Sequence, residues 1–244
     1  MNQDKIRASI DSIETFGLVD GPGIRVVVFF NGCKLRCKYC HNPEMWTKKA
    51  ENYSPQELVD KIKRYKSYFK DNGGVTFSGG EPLLHSKFII ETAKLLKEEN
   101  IHIALDTSGV GLGDYNEILP YIDLVILDIK HTKPLGYKEL TNLEINESEE
   151  FIKELNKSNI PVWIRQVIVP GIMDNYEYID SLINYLYKIN NIKRVDFLPF
   201  HRLGREKYLS LGLTYPYEDK PEMDKEECNK LYKYFEKNYK KELN

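Results

Sequence analysis

Three cysteines lie close together in a chain that has only four. Residues 32–42 read GCKLRCKYCHN and contain Cys33, Cys37 and Cys40. Reduced thiols at this density are typical of metal sites, and three of them can ligate three irons of an iron–sulfur cube. The fourth iron would then lack a protein ligand and could bind a substrate or cofactor. The alternative is a structural zinc site completed by His41, although such sites usually draw their ligands from two separated loops.

A glycine pair and an acidic residue follow the second apolar run of the chain, in the sequence SGGE at 78–81. Gly79 and Gly80 carry no side chains, so another group can approach the backbone closely. Glu81 adds a carboxylate beside exposed carbonyl groups, a combination that suits an ammonium ion. The motif alone is weak, because GGE is usually only a turn.

Polar side chains, most of them oxygen-bearing, end the next two apolar runs. Asp106 and Thr107 end the third run, and Asp128 and Lys130 end the fourth. Two neighbouring strand ends rich in oxygen could hold a cation. The competing interpretation is a set of ion pairs and caps at the rim of the sheet.

One arginine lies inside an apolar run and one histidine follows the last run. Arg165 interrupts WIRQVIV, and a buried guanidinium must be paired, so we expect it to point inward towards a carboxylate or a ligand. His201, in LPFHRLG, could contact a ligand or be a satisfied rim histidine. The remaining histidines and the distant cysteine are interpreted as structural: His85, His102, His131 and Cys228.

The elements that must position these residues alternate along the chain. Short Val-, Ile-, Leu- and Phe-rich runs alternate with segments of helical periodicity, which predicts parallel strands joined by helices. The fold class is therefore α/β, a partial, TIM-like (β/α)6 barrel whose chemistry lies at the carboxyl ends of the strands. A short strand and loop precede the barrel, and an amphipathic helix starting near residue 224 follows it. The predicted strands are 24–30, 74–78, 102–107, 123–129, 162–169 and 194–200, and the predicted helices are 54–71, 86–99, 146–158 and 175–189.

Composition limits the class of protein. The chain has 244 residues, 30% of them charged, and a net charge of -2, so it offers no basic footprint for nucleic acid. The start of the sequence lacks the apolar core of a signal peptide, and runs such as 26–30 are too short to span a bilayer. We expect one domain over 1–244, with no membrane association, in the cytoplasm, where thiols stay reduced.

The cysteine spacing C-x3-C-x2-C, with Tyr39 before the last cysteine, resembles the signature of the radical S-adenosylmethionine (SAM) superfamily. The resemblance extends in order over nearly the whole chain, and the complete set of motifs is similar to that of the pyruvate formate-lyase-activating enzymes. Those motifs are VDGPGIR (19–25), the cysteine loop ending in YCHN, SGGE, LDTSG, LDIK, WIRQVIVPG and LPFHRLG. Ser108 in LDTSG stands where one familiar relative has Asn, which leaves the neighbouring assignments little changed.

This resemblance implies an activity. A reduced 4Fe-4S cluster cleaves SAM to methionine and a 5'-deoxyadenosyl radical, which removes a hydrogen from a glycine of a glycyl radical enzyme. The implied cluster ligands are Cys33, Cys37 and Cys40; the implied SAM-binding residues are Tyr39, Gly79, Gly80, Glu81, Asp106, Asp128, Lys130, Arg165 and His201. Asp106, Thr107 and Asp128 could also hold a monovalent cation, and Asp20 and His41 would lie beside the incoming peptide.

The expected partners are pyruvate formate-lyase and a flavodoxin or ferredoxin as reductant, and the protein is expected to be a monomer. No cysteine lies between Cys40 and Cys228, whereas many activases of other glycyl radical enzymes carry an inserted ferredoxin-like segment with extra cysteines. Three alternatives remain at this point: a radical SAM enzyme that acts on a small molecule, an activase of another glycyl radical enzyme, including anaerobic ribonucleotide reductase, and a zinc-stabilised binding module.

Overall fold

The computed structural model describes residues 6–47, 49–241 and 243, and within them one seven-stranded sheet has the order β1-β2-β3-β4-β5-β6-β7. The first strand pairs antiparallel with the second, and every later pair is parallel. No pairing joins the last strand to the first within these residues, so the predicted partial barrel with a preceding strand is confirmed. The strands are β1 Ile10–Gly17, β2 Arg25–Phe30, β3 Gly74–Gly79, β4 His102–Thr107, β5 Leu124–Asp128, β6 Val162–Ile168 and β7 Ile192–Pro199.

Helices connect the parallel strands and cover one face of the sheet. Three of the predicted helices agree with the structure to within three residues at each end. The short helices α4, α5 and α8 were not predicted. The helices are α1 Pro55–Lys63, α2 Lys66–Phe69, α3 Ser86–Glu98, α4 Tyr115–Ile118, α5 Pro134–Thr141, α6 Asn146–Leu155, α7 Tyr176–Leu186, α8 Arg205–Ser210 and α9 Lys225–Asn238.

The predicted helix over 54–71 is divided in two, which corrects that prediction. Its start is as expected: Ser54 accepts a hydrogen bond from the Glu57 amide, and the Glu57 side chain accepts one from the Ser54 amide. The helix ends in a tighter turn, in which the Tyr65 amide donates to the carbonyl of Ile62, three residues earlier, at 3.0 Å. The break leaves Tyr65 and Tyr68 packed against Phe16.

Side chains alternate between two environments along each parallel strand, as the strand period of two requires. In β4, Ile103 and Leu105 belong to the large core beneath the helices. Ala104 belongs to a second, small apolar cluster, and Asp106 lines a cavity. The inner face of the sheet is thus apolar in its lower part and polar at the carboxyl ends of the strands.

The last helix, α9, has fourteen residues and packs on β7 and α7. Its buried face includes Cys228, Leu231 and Phe235, which confirms the predicted amphipathic helix and the structural interpretation of Cys228. Across residues 6–47, 49–241 and 243, none of the helices combines the length and apolar character needed to cross a bilayer.

Candidate functional site

A cavity of about 610 Å³ opens at the carboxyl ends of the parallel strands. It brings together nearly all of the residues that sequence reasoning selected, although they come from positions 20 to 201. Those in its lining are Asp20, Cys33, Cys37, Tyr39, Cys40, His41, Gly79, Gly80, Asp106, Thr107, Asp128, Lys130, Arg165 and His201. Residues not predicted to lie there include Phe29, Trp46, Ser78, Ser108, Val167 and Leu198.

The cysteine loop is held by backbone hydrogen bonds rather than by the sheet. The Cys33 amide donates to the Trp46 carbonyl at 3.2 Å, and the Arg36 amide donates to the Thr141 carbonyl at 2.8 Å. Within the loop, the Cys40 amide donates to the Cys37 carbonyl at 2.9 Å. These bonds fix the path of the loop so that its three thiols face one cavity.

Burial raises the pKa of Cys33 and of Cys37 to about 12, and it also raises the pKa of Cys40. Thiolates in such a site need a cation beside them. Three thiols on one cavity, next to the backbone of Gly79 and Gly80, fit the ligand set of an iron–sulfur cube with one open iron.

The zinc alternative requires His41 to join the three thiols. His41 instead stacks on His201, with ring centroids 4.1 Å apart, and its Nε2 hydrogen bonds to the His201 carbonyl at 3.1 Å. In the part of the chain that the structure describes, no three His, Cys, Asp or Glu side chains converge on one metal ion. This includes the three thiols, each of which would ligate a different iron of a cube. The Nδ1 of His201 is buried and has no hydrogen-bond partner among the described residues, so a polar ligand could satisfy it.

Gly79 and Gly80 let the end of β3 pack against the end of β2. Gly79 has a φ of +117°, and a side chain there would collide with the backbone of Phe30. A side chain at Gly80 would collide with the carbonyl of Gly32, one residue before the first cysteine. The glycine pair therefore lets the cysteine loop lie directly beside β3, in addition to leaving backbone open to the cavity.

Glu81 is buried but does not line the cavity, so the structure does not place it with the other predicted ligand residues. Its carboxylate accepts hydrogen bonds from the Thr107 hydroxyl at 2.5 Å, the Ser108 amide at 2.9 Å and the Leu83 amide at 3.2 Å. The Ser108 hydroxyl also donates to it. Burial raises the pKa of Glu81 to about 7, against the effect of these donors. Glu81 thus clamps the loop after β4 to the loop after β3.

We expect Glu81→Gln to destabilise the fold at pH 8 by about 1–3 kcal/mol. The amide NH2 would face the backbone N–H of either Ser108 or Leu83, neither of which can rotate to accept. The measurement is the free energy of urea unfolding, with the exposed Glu147→Gln as control, since Glu147 is paired with Lys34 at the surface. Equal stabilities of the two variants would contradict the clamp.

A partly buried arginine bridges two carboxylates in the lining of the cavity. Arg165 lies 3.3 Å from Asp106 through Nη1 and 3.4 Å from Asp20 through Nη2, and Nη2 donates to the Val19 carbonyl at 2.6 Å. Ser78 donates to the same Asp106 oxygen at 2.8 Å. Burial raises the pKa of Asp106 to about 6, and the Arg165 charge opposes that rise. The inward orientation expected for Arg165, facing a carboxylate, is the one observed.

Lys130 and Asp128 form a second ion pair in the same cavity, with Nζ and Oδ2 2.8 Å apart. The ammonium also lies 5.8 Å from the centre of the Tyr39 ring. Burial lowers the pKa of Lys130, but Asp128, Tyr39 and Cys37 together outweigh it and the pKa lies well above its usual value. Lys130 therefore stays charged and able to bind an anion.

The loop over 18–24 approaches the cavity from an unexpected direction. The sequence predicts that VDGPG lines the mouth, where the strands carry their carboxyl ends. Because β1 is antiparallel to β2 and Gly17 pairs with Arg25, the loop instead joins them at the amino ends of the parallel strands. Asp20 nevertheless lines the cavity together with His41. No sequence signal fixes the position of this loop, because it depends on the direction in which β1 pairs with β2.

Comparison with known proteins agrees with this geometry. The model of the radical SAM superfamily matches residues 27–186. The chain is 49% identical over 231 residues to the pyruvate formate-lyase-activating enzyme of Clostridium pasteurianum, covering 94% of this chain and 97% of that protein. It is 38% identical to the protein of that name from Streptococcus mutans, covering 89% of this chain and 87% of the relative.

Among solved structures, Streptococcus suis SuiB bound to precursor peptide SuiA superposes with a TM-score of 0.67 at 18% identity. The match covers 91% of this chain and 46% of SuiB, and it supports the fold alone. Taken with the family model and the curated relatives, the cavity, its three cysteines and the open parallel sheet place this chain in the radical SAM superfamily and, within it, in the family of pyruvate formate-lyase-activating enzymes.

Proposed function

We propose that this chain activates pyruvate formate-lyase by removing a hydrogen atom from one backbone glycine of that enzyme. The observation that carries the proposal is the single cavity that holds both the three thiols and Asp20, the residue expected beside the peptide. The family implies a 4Fe-4S cluster and SAM, which when bound supply one electron and the carbon radical that takes the hydrogen. The relatives' shared name supports pyruvate formate-lyase as the partner.

In this proposal the residues of the cavity divide into two groups. Cys33, Cys37 and Cys40 hold the cluster. Asp106 and the backbone of the glycine pair accept hydrogen bonds from the ammonium of SAM, and Lys130 binds its carboxylate. The remaining cofactor contacts are assigned to Tyr39, Asp128, Arg165 and His201.

We assign Glu81 an indirect role, because its carboxylate is already occupied by donors from Leu83, Thr107 and Ser108. It holds the strand ends in place around the cofactor. Asp20 and His41 contact the incoming peptide, and the cavity around them keeps water away from the reacting atoms.

We also propose a monovalent cation near Asp106, Thr107 and Asp128, which lie at the ends of the paired strands β4 and β5. Carboxylate and hydroxyl oxygens are suitable ligands for a hard cation. The cation proposal predicts weaker SAM binding when sodium and potassium are replaced by choline at equal ionic strength. SAM binding that is equal in the two buffers would contradict it.

The electron donor is proposed to be a flavodoxin or ferredoxin, and the protein a cytoplasmic monomer with one domain over 1–244. Three basic side chains support an acidic carrier as donor, since Lys34, Arg36 and Lys38 are exposed between the cluster cysteines. Their positive charge would favour the approach of an acidic protein to the cluster loop.

The proposal is tested by anaerobic reconstitution with iron and sulfide, followed by electron paramagnetic resonance of the reduced protein with and without SAM. We expect a cluster signal that changes on adding SAM, and a glycyl radical signal when pyruvate formate-lyase is then supplied. A SAM-dependent change without a radical in that partner would point to another glycyl radical enzyme or a small-molecule substrate. A protein that binds zinc and gives no cluster signal would overturn the radical chemistry.

A further inference from the structure

A buried arginine at the start of β2 has no part in the chemistry described so far. Arg25 is fully buried, at 0% exposure, and lies at the opposite end of the strand from the cysteine loop. A guanidinium in this position must have its donors satisfied by the protein. Its partners therefore indicate what the residue is for.

The partners of Arg25 lie on two neighbouring strands and on the loop that precedes it. Nε donates to the Thr76 hydroxyl at 3.0 Å, and Nη1 donates to the Pro22 carbonyl at 3.4 Å. Nη1 also lies 3.1 Å from Nδ1 of His102, and Nη2 donates to the Val75 carbonyl. The guanidinium thus ties the loop backbone to β3 and β4.

Thr76 continues this link to the residue that faces the peptide. Its hydroxyl accepts from Arg25 and donates to the Asp20 carbonyl at 2.6 Å. The carboxylate of Asp20 is held separately, 3.4 Å from Arg165. Asp20 is therefore fixed from both sides, its backbone by Thr76 and its side chain by Arg165.

The loop itself is shaped to accept this anchor. Gly21 has a φ of +130°, and a side chain there would come within 3.2 Å of Nε of Arg25. The guanidinium lies directly against the loop backbone, at a position whose φ favours glycine. Val19 and Leu18, by contrast, are 76% and 71% exposed, so the apolar side chains of the loop do not hold it in place.

We propose that Arg25 and Thr76 are positioning residues that fix the 19–23 loop so that Asp20 faces the incoming glycine peptide. This inference rests on the proposed function, because Asp20 is assigned to the peptide there. The link acts through hydrogen bonds to the loop backbone. Arg165 keeps its own bonds to Asp106, Asp20 and the Val19 carbonyl, so we expect cofactor binding to change little when the link is cut. The inference also explains why the VDGPGIR motif includes its arginine.

The test uses Thr76→Val, which removes the hydroxyl and keeps the branched shape, and Thr76→Ser, which restores a hydroxyl. The matched control is Thr92→Val, because Thr92 is also fully buried and donates its hydroxyl to a backbone carbonyl, that of Phe88 at 2.8 Å. The first measurement is amide hydrogen exchange over 18–24 in the cofactor-free protein. The second is KM and kcat for a synthetic peptide with the glycine loop of pyruvate formate-lyase.

We expect Thr76→Val to speed exchange of the loop amides and to raise the peptide KM, each by about tenfold, as for one lost hydrogen bond. The value of kcat and the SAM-dependent spectral change should stay within twofold, and Thr76→Ser and Thr92→Val should match the wild type. Unchanged loop exchange, or an unchanged KM in an active protein, would overturn the inference. A different result is that Thr76→Val speeds loop exchange while the wild-type protein does not act on the glycine peptide. That result would overturn the proposed function but would still support the role of Arg25 and Thr76 in holding the loop.

Discussion

Cys37→Ala is expected to reduce cluster content and radical formation to background. Cys37 is buried, lines the cavity and lies in the middle of the loop that carries the other two thiols. Two thiolates cannot ligate three irons, and no further cysteine lies nearby to replace the missing ligand. The measurement is iron and sulfide content after anaerobic reconstitution, together with the spectrum of the reduced protein.

The matched control is Cys228→Ala, a change of the same kind in a buried cysteine on α9, away from the cysteine loop. It should keep the full cluster content and lose only the stability of a small buried group, about 1 kcal/mol. Far-ultraviolet circular dichroism should be unchanged for both variants. A Cys37→Ala protein with a full cluster, or a Cys228→Ala protein without one, would contradict the assignment of the three ligands.

Arg165→Gln is expected to weaken SAM-dependent activity by about two to three orders of magnitude. Removing the guanidinium leaves Asp106 and Asp20, both partly buried, in the cavity without their shared cation. Asp20 would lose its side-chain anchor, and Asp106 would be held less well for the cofactor. Titration of SAM against the reduced cluster measures the effect at Asp106, and kcat/KM for the peptide measures the effects at Asp106 and Asp20 together.

The same variant has a pH signature. Burial raises the pKa of Asp106 in the folded protein from 3.8 to about 6. The fold therefore loses stability as the pH rises between these two values, and regains it as the pH falls and Asp106 is protonated. Binding of an ammonium needs the ionised form, so SAM binding should decline below about pH 6. Loss of the Arg165 charge should move that decline to higher pH.

Arg194→Gln is the control for this experiment, because Arg194 forms an exposed pair with Asp196, with Nε and Oδ1 2.8 Å apart. Its SAM affinity and pH profile should equal those of the wild type. If SAM binding by the Arg165→Gln protein declines at the same pH as in the wild type, Asp106 does not control the decline.

Much of the fold could be predicted because each parallel strand is an apolar run that ends in polar residues. The orientation of Arg165 also followed from the sequence, since a charge inside such a run must find a partner in the interior. The predicted helix over 54–71 was too long, because nothing in its composition marks the tighter turn at Tyr65 that ends the first helix. Short helices such as α4 have too few residues for a periodic pattern to be visible.

The site was less predictable where side-chain direction decides the outcome. The sequence SGGE does not show that the Glu81 side chain points away from the cavity and accepts hydrogen bonds from Thr107 and Ser108. That orientation depends on the positions of two strands that are distant in sequence. Asp20 of the VDGPG loop lines the cavity as expected, but the sequence could not show that the loop joins β1 to the amino end of β2, because the direction of β1 sets its position. Arg25 was passed over for the same reason, since its importance lies in a contact with Thr76, 51 residues away.

The three thiols belong to one short loop and do not link distant elements of the fold. Strand pairing builds the sheet, and the hydrogen bonds that hold the loop to Trp46 and Thr141 join backbone atoms and not the thiols. Oxygen that destroys the cluster would therefore leave a folded scaffold with its ligands in place. We expect damage of this kind to be repaired by reloading iron and sulfide into the same chain, with no need to synthesise the protein again.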